Sequence, residues 1–506
     1  MIKVLGIGGG AREHSLAEKV AQSAHHPKIY WISEWRNPGI YEICRSTGGE
    51  YIIGSTTDPL FVSKRSKTLG VDLVIIGPEE PNFYGVADAV RDAGIPCLGP
   101  YRDVAVIEQS KAALRRLQWK YDIPGRLLFR TFRDVRSAKE ALNEASKSLT
   151  WLQNVVLKPA RQAGGKGVKV IEDKQAYLLN EKLTFKMSHI EWLSDYMSGY
   201  EDIQDRVLAE ECVWGPEYTL HCFTDGKTVV GMPLVQDNKH AFDFDIGPET
   251  GGMGSISGPG MALDFITREE YERSLEIVRS VIRAIQDETG KDYIGVAAGQ
   301  MMVTEIEGPT LIEMYSRLGD PEALNVLAVL KTDILDLAFA ICEGRLSKVG
   351  VDFEKNAVVV KAVAPEGYPD RKDLAKGHEV LVDRDEVLKR GCKLYWGAAH
   401  LEDGRIVTTG SRFVELVAKE RSVERAAELV NGCLGLPRLK GWRTLYRVDI
   451  GTRELNERRT ELAEKVRRLY KFRESRGLLG SRLDWVPGMG LIDPALEVKK
   501  YEVDRT

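Results

Sequence analysis

The first hundred residues constrain the fold of this chain more than any other feature, because strand and helix signals alternate there. Apolar runs occupy residues 2–7, 29–32, 71–76 and 95–98, and helix-like stretches cover 13–22 and 86–93. Three of the runs stop at glycine, in Gly8-Gly9-Gly10, Gly77-Pro78 and Gly99-Pro100. Strands separated by helices pair in parallel through right-handed crossovers. Such a sheet binds its ligands at the carboxyl ends of its strands. In this chain those ends carry residues 8–11, 34–39, 77–81 and 99–100.

The remaining sequence has a different rhythm. A helix is expected around 111–121, and strands at 155–158 and 168–171 flank a polar, glycine-rich turn. Segments 217–223 and 229–234 read as a hairpin across Asp225-Gly226, followed by a long glycine-rich loop at 243–260. A helix at 268–289 and strands at 298–304 and 310–314 complete an antiparallel pattern. A third region opens with a helix near Asp333 and has short strands at 357–364, 393–398 and 405–409. From about residue 451 the chain is strongly charged. Leu455, Leu462, Val466 and Leu469 mark one side of a helix there, packed on its own chain, and no element is assigned beyond Phe472. The 506 residues correspond to about three to five domains. The expected fold class is α/β and α+β multidomain, with a doubly wound parallel-sheet domain over 1–100 and a small C-terminal α+β domain.

Composition removes several function classes. Lys and Arg total 71 against 75 Asp and Glu, a formal net charge of −4, so no basic surface for nucleic acid is indicated. No apolar run reaches the length of a membrane span, and the N-terminus lacks the pattern of a secretory leader. Cys44, Cys97, Cys212, Cys222, Cys342, Cys392 and Cys433 are odd in number and widely spaced, with no C-x-x-C pair. They suit bland thiols in a reducing cytoplasm rather than a zinc site or disulfide framework.

Several segments carry chemistry. Gly6-x-Gly8-x-x-Ala11 follows a strand and opens a helix, so its turn admits a phosphate at a helix N-terminus. With Glu34 after the second strand it is open to a dinucleotide, to another phosphorylated ligand, or to a purely structural role. Lys158 and Lys166 bracket a glycine-rich turn, Gly164, Gly165 and Gly167 included, that could fold over a triphosphate; a surface hairpin is the plainer reading. Glu210-Glu211 and Glu217 form an acidic edge that could take a nucleoside. Gln300 and Glu313 lie on two strands joined by a turn, where hard oxygen donors suit magnesium. Arg317 and Asp320 follow closely, and an arginine beside such a site can hold a transferred phosphoryl group. Asp237 and Lys239 precede a second glycine-rich loop, Gly247-Pro-Glu-Thr-Gly-Gly-Met-Gly254.

Taken in order, these pieces resemble the glycinamide ribonucleotide synthetases, ATP-grasp enzymes of purine synthesis. The resemblance rests on Gly8-Gly-Gly-Ala-Arg-Glu-His14, Asn37-Pro-Gly39, Gly77-Pro-Glu79, Gln109-Ser-Lys111, Gly164-Gly-Lys-Gly-Val168, Gln236-Asp237, Thr250-Gly-Gly-Met-Gly254 and Gly319-Asp-Pro-Glu322. It covers residues 1 to about 450 and leaves the tail as an addition. It implies a Rossmann-like domain (1–100), an ATP-grasp domain (101–332, with a lid at about 125–205), a C-terminal domain (333–450) and a charged helix and tail (451–506).

The same resemblance implies ligation of glycine to 5-phosphoribosylamine through a glycyl phosphate. Lys111, Lys158 and Lys166, with Gly164, Gly165 and Gly167, would hold ATP phosphates, and Glu210, Glu211 and Glu217 would surround adenosine. Gln300 and Glu313 would bind Mg2+ or Mn2+, and Arg317 would steady the phosphoryl group. Gly10, Asn37, Pro78 and Glu79 would meet the phosphoribosyl substrate. Asp237, Thr250, Gly251, Gly252, Met253 and Asp320 would face the small acid. The implied partners are these small molecules, with no nucleic acid or membrane, for a cytoplasmic monomer or small homo-oligomer.

Several positions depart from the family pattern. Tyr315 replaces a usual Asn two residues after the metal-binding Glu, and Ala160, Arg161 and Gln162 replace Asp-Gly-Leu. Asn238 and His240 alter the Gln-Asp-His-Lys-Arg run, Glu249 replaces Asn, and Leu318 replaces Phe. Glu80, Asn82 and Phe83 change the strand-end segment around Pro81. A related ligase for another acid or amine, and a nucleotide-binding relative without turnover, therefore stand as alternative readings.

Overall fold

A computed structural model describes residues 1–144, 151, 154–163, 167–172, 176–179, 187–201, 203–486, 488 and 490–503. The chain forms two compact units, each assembled from discontinuous stretches. The first comprises Met1–Ala105, Glu217–Gln300 and Tyr315–Glu461; the second comprises Val106–Pro216, Met301–Met314 and Leu462–Thr506.

The first unit begins with the expected parallel sheet. Strands β1 (Lys3–Ile7), β2 (Lys28–Ser33), β3 (Tyr51–Ile53), β4 (Leu73–Ile76) and β5 (Cys97–Leu98) run in the order β3-β2-β1-β4-β5. All four pairings are parallel. Alternate side chains supply two cores. Leu5, Ile7, Val74 and Ile76 pack with Val62, Val86 and Val90. Val4, Leu73 and Ile75 pack with Ala11, Leu16, Val20 and Ile40. A sheet covered on both faces explains the nearly continuous apolar runs.

Helix α1 (Ala11–Ala21) opens after the Gly8–Gly10 turn, and the Glu13 carboxylate accepts a 2.7 Å hydrogen bond from Gly10 N. Helix α2 (Pro38–Ser46) and the helix Pro59–Leu69 start at Asn37 and Asp58, which cap them ahead of a proline.

The glycine-rich turn has a structural reason. A Cβ on Gly6 would lie 2.2 Å from the Trp31 ring. Trp31 is fully buried and donates from its indole nitrogen to Gly8 O at 2.6 Å. The Glu34 carboxylate accepts from the Thr56 hydroxyl at 2.7 Å. Both features tie this domain together internally, which is how the turn differs from a dinucleotide fingerprint.

Strand Glu217–Asp225 pairs with Val229–Gly231 and neighbours Ile294–Thr304. The expected loop over 243–260 is corrected. Ile246–Glu249 pairs with His240–Phe242, and Gly254–Ser257 pairs with both Gln236–Asp237 and Ala357–Pro365. Gly254 allows this close approach, because a Cβ there would lie 2.3 Å from Val360 O. Ala357–Pro365 is buried at every position and is central to its sheet, with Val414–Glu420 and Lys393–Trp396 beyond it.

The second unit contains helix α3 (Lys111–Lys120) and an antiparallel sheet. Its strands β6 (Phe129–Phe132), β7 (Val155–Pro159), β8 (Lys169–Ile171) and β9 (Val207–Glu211) run in the order β6-β9-β7-β8. The long charged helix is Arg453–Ser475. Leu455, Ala463 and Val466 are its buried apolar residues, whereas Leu469 is 40% exposed. Leu462 is only half-buried, and its neighbour Ala463 takes its place on the buried stripe. The chain beyond Phe472 is also structured: Asp484–Val486 pairs with Gly490–Ile492, and Pro494–Val498 is helical. Val498 packs with Trp119, Leu128, Phe129 and Leu208. Among the described residues, no helix is long and apolar enough to cross a membrane.

Candidate active site

In the second unit, strand alternation builds a buried charge cluster. Lys158 on β7 and Glu210 on β9 share one face, and their side chains meet at 2.5 Å. Arg115 on α3 reaches the other Glu210 oxygen at 2.8 Å. Burial opposes charge on Glu210, but Arg115 and Lys158 outweigh it and hold its carboxyl below the usual range. Both Glu210 oxygens are thus committed to cations, so Glu210 orients Lys158 and does not project toward a nucleoside as the sequence suggested.

Lys111 starts α3 and donates to Arg161 O and Gln162 Oε1, each at 3.1 Å, with Glu313 at 3.7 Å. Burial lowers its pKa, although Glu313 acts against the shift. A buried ammonium held in that condition is stabilised by an added anion. Gln162, one of the departures from the family pattern, is therefore part of the Lys111 environment. Gly167 (φ +71°) leaves no room for a side chain, because a Cβ would meet Trp192 at 2.2 Å. Gly164, Gly165 and Lys166 lie outside the described residues.

Glu211 does not join this cluster. Alternation along β9 turns it to the opposite face, where it accepts from Leu128 N at 2.8 Å and is bound by Arg482.

In the first unit, Glu217 accepts from Gln300 Nε2 at 2.7 Å and is 3.3 Å from Lys239 Nζ. Tyr315 donates its hydroxyl to Gln300 Oε1 at 2.6 Å. The residue that replaces the family Asn therefore acts on the very oxygen proposed for metal binding. Arg317 stacks over the Tyr315 ring at 4.5 Å and donates to Glu79 Oε2 at 3.1 Å. Arg12 lies 3.8 Å from the same Glu79 oxygen. Burial resists charge on Glu79, yet Arg317 and then Arg12 hold it at about 2.

A second string surrounds the Thr250–Gly252 turn. Arg412 donates to Gly251 O, Gly252 O and Asp320 O, and to the Asp320 carboxylate at 3.1 Å. Tyr368 accepts from Gly251 N at 3.0 Å. Thr250 donates to Lys239 O, and Met253 is fully buried. A Cβ on Gly252 would lie 2.5 Å from Asp237 Oδ1, and one on Gly10 would lie 3.8 Å from Asp320 Oδ2. Asp237, the Thr250–Met253 turn, Asp320 and Gly10 are thus brought together.

Burial, with Glu322 adding, pushes the Asp237 carboxyl well above its ordinary range. Burial and Asp320 do the same to Glu415. Among the described residues, Asp237 Oδ1, Asp320 Oδ1 and Glu415 Oε2 are buried and no protein group donates to them, while the Asp320 and Glu415 carboxyls act on one another. Such oxygens suit a ligand group that donates hydrogen bonds or carries positive charge.

Asn37 stands differently from its expected role. Its Oδ1 accepts from Gly39 N and Ile40 N, while its Nδ2 donates to Gly9 O and Trp396 O. Every bonding position of that amide is occupied, so Asn37 supports the turn rather than projecting a free group. Pro78 is half-buried beside Gly8. Sequence reasoning missed Arg115, Arg412, Glu415 and Tyr368. Arg12 was visible only as part of the Gly8–His14 motif.

With this geometry in place, the comparisons are consistent along the chain. Models of the phosphoribosylglycinamide synthetase N, ATP-grasp (A) and C domains match residues 2–108, 109–323 and 358–453. The phosphoribosylamine–glycine ligase of Methanopyrus kandleri is 39% identical over 469 residues, covering 92% of this chain and all of that protein. Its Pyrococcus horikoshii counterpart is 38% identical over 465 residues, covering 92% and 98%.

The crystal structure of phosphoribosylamine–glycine ligase from Thermotoga maritima superposes with a TM-score of 0.68 at 21% identity, covering 89% of this chain and 100% of that one. The biotin carboxylase domain of the Hydrogenobacter thermophilus 2-oxoglutarate carboxylase shares the fold at a TM-score of 0.65 and 15% identity, covering 92% and 98%. The consecutive domain matches and the near-complete coverage of relatives show that this chain belongs to the phosphoribosylglycinamide synthetase family.

Proposed function

We propose that the protein is an ATP-dependent carbon–nitrogen ligase that joins glycine to 5-phosphoribosylamine, giving glycinamide ribonucleotide, ADP and phosphate in purine synthesis. The observation that carries this reading is the match to phosphoribosylamine–glycine ligase over the whole length of the Methanopyrus kandleri protein. In the first step a glycine carboxylate oxygen attacks the γ-phosphorus of ATP and ADP leaves. In the second, the phosphoribosylamine nitrogen attacks the acyl carbon, loses a proton, and phosphate leaves.

In this reading Lys111 and Lys158 neutralise ATP phosphates, and Glu210 with Arg115 fixes the direction of Lys158. Lys166 with Gly164, Gly165 and Gly167 also contacts the ATP phosphates, and Glu217 takes the ribose hydroxyls. Arg317, held by Glu79 and Tyr315, steadies the transferred phosphoryl group. The buried oxygens of Asp237 and Asp320 receive hydrogen-bond donors of the amine or amino acid. Gly10, Pro78 and Glu79 line the approach of the phosphoribosyl group.

Glu313 and Gln300 offer a carboxylate and an amide oxygen, a donor chemistry that fits Mg2+ or Mn2+. Such an ion, when bound, offsets phosphate charge. A cytoplasmic location belongs to the same reading and is supported by seven free thiols. So does a monomer or small homo-oligomer acting on small molecules alone.

Substrate omission tests the proposal. ADP release should require both glycine and 5-phosphoribosylamine. Release that needs a different acid or amine would favour the second reading, a related ligase, to which the Tyr315–Gln300 contact gives specific support.

A further inference from the structure

The segment that follows residue 453 lies outside all three matched domain models. Within the second unit it returns to the strand that carries Glu210 and Glu211. Gly480 N donates to Ile306 O at 2.9 Å, which brings the next turn of chain against β9. Arg482 then contacts four segments with its three guanidinium nitrogens. Its Nε donates to Glu211 at 2.9 Å, and its two terminal nitrogens reach Glu211, Glu307, Arg126 O and Gly480 O between 2.7 and 3.1 Å.

The Arg482 and Glu211 side chains are each only 8% exposed. A second anchor lies farther along. Glu502 accepts from Thr131 N and the Thr131 hydroxyl, both at 2.8 Å, and pairs with Arg116 at 3.2 Å. Thr131 is on β6, the neighbour of β9.

The two faces of β9 are thus held by different partners. Glu210 faces Lys158 and Arg115, and Glu211 faces Arg482. A planar fork that binds both oxygens of one carboxylate fixes orientation as well as charge. Removing it would leave the buried Glu211 without its cation and take one partner from the half-buried Glu307, a change that the strand must relax to accommodate.

We propose that Arg482 is a positioning residue for nucleotide binding: from the tail, it fixes β9 on the face opposite Lys158 and thereby sets the Glu210–Lys158 pair for ATP. The inference rests on the ligase reading only through ATP.

The test is equilibrium dialysis of Mg-ATP with full-length wild type, Arg482→Ala and Arg482→Lys, alongside steady-state kinetics. Arg482→Ala should weaken ATP binding about tenfold, within the usual range of coupling between a remote contact and a ligand site. The change should fall on KM for ATP rather than on kcat. Arg482→Lys, which keeps the charge but not the fork, should recover part of the loss.

Unchanged ATP binding by folded Arg482→Ala, judged by near-ultraviolet circular dichroism, overturns the inference. If Arg482→Ala does not fold, Arg482→Lys decides, with wild-type ATP affinity overturning it. Wild type that fails to bind ATP refutes both this inference and the ligase reading. Wild type that binds ATP without substrate-dependent ADP release refutes the ligase reading alone.

Discussion

Replacing Tyr315 by Phe separates two jobs of one side chain. The Tyr315 hydroxyl donates to Gln300 Oε1 at 2.6 Å, while its ring supports the Arg317 guanidinium at 4.5 Å. Phe keeps the ring and removes only the donor. Gln300 is 2% exposed and its Nε2 stays committed to Glu217, so its oxygen loses a partner that bulk water does not readily replace. A hydrogen bond of this kind has a net worth of about 0.5–1.5 kcal/mol.

If Gln300 Oε1 ligates the divalent ion, the metal no longer competes with that bond in the variant. Affinity should then tighten roughly two- to tenfold, since 1.4 kcal/mol is a factor of ten. Titration of Mn2+ followed by electron paramagnetic resonance of the free ion, with ATP present, reads this directly. Tyr315→Asn, which adds an amide oxygen but removes the Arg317 platform, should also tighten the metal while slowing turnover. Unchanged or weaker Mn2+ binding in folded Tyr315→Phe would refute the placement of Gln300 on the metal.

Two further outcomes follow from packing and burial. Gly6→Ala puts a methyl 2.2 Å from the buried Trp31 ring and should destabilise the protein by about 1–3 kcal/mol in urea unfolding. A change below about 0.5 kcal/mol would mean that the glycine serves a ligand instead. Burial lowers His14 and His221 to about 3 from an ordinary 6.5. The unfolded chain therefore binds protons that the folded chain refuses between those values. Stability contributed by neutral burial is fully present above pH 6.5 and is lost as pH falls, by about 1.4 kcal/mol per pH unit for each histidine. The buried Asp237 and Glu415 carboxyls, pushed upward, act in the opposite sense, so the check is the imidazole signals themselves: protonation of either ring in the folded protein at pH 5, seen by NMR, would contradict this.

Legibility followed local physics. Strands β1, β2 and β4 were readable because both sheet faces are covered, which makes their sequences apolar throughout. Strand β3 was not, since three residues with one buried side chain leave no pattern. Ile246–Glu249 is exposed at every position, so its strand has no alternation to detect. Glu210-Glu211 read as one acidic edge, although a strand must send neighbours to opposite faces. Asn37-Pro38 looked like part of a ligand motif, but the same pair is a helix-start signal, and the cap is what the structure contains. Arg412 and Glu415 carry no local signal; only tertiary folding brings them to Asp320 and the Thr250–Gly252 turn.

Weighing the product tests whether the protein is a glycine–phosphoribosylamine ligase. Purified protein is incubated with ATP, carbon-13-labelled glycine and 5-phosphoribosylamine, and the reaction is analysed by mass spectrometry. Labelled glycinamide ribonucleotide should form in step with one ADP. Protein that is folded and binds ATP, yet yields no such mass, would contradict the ligase reading.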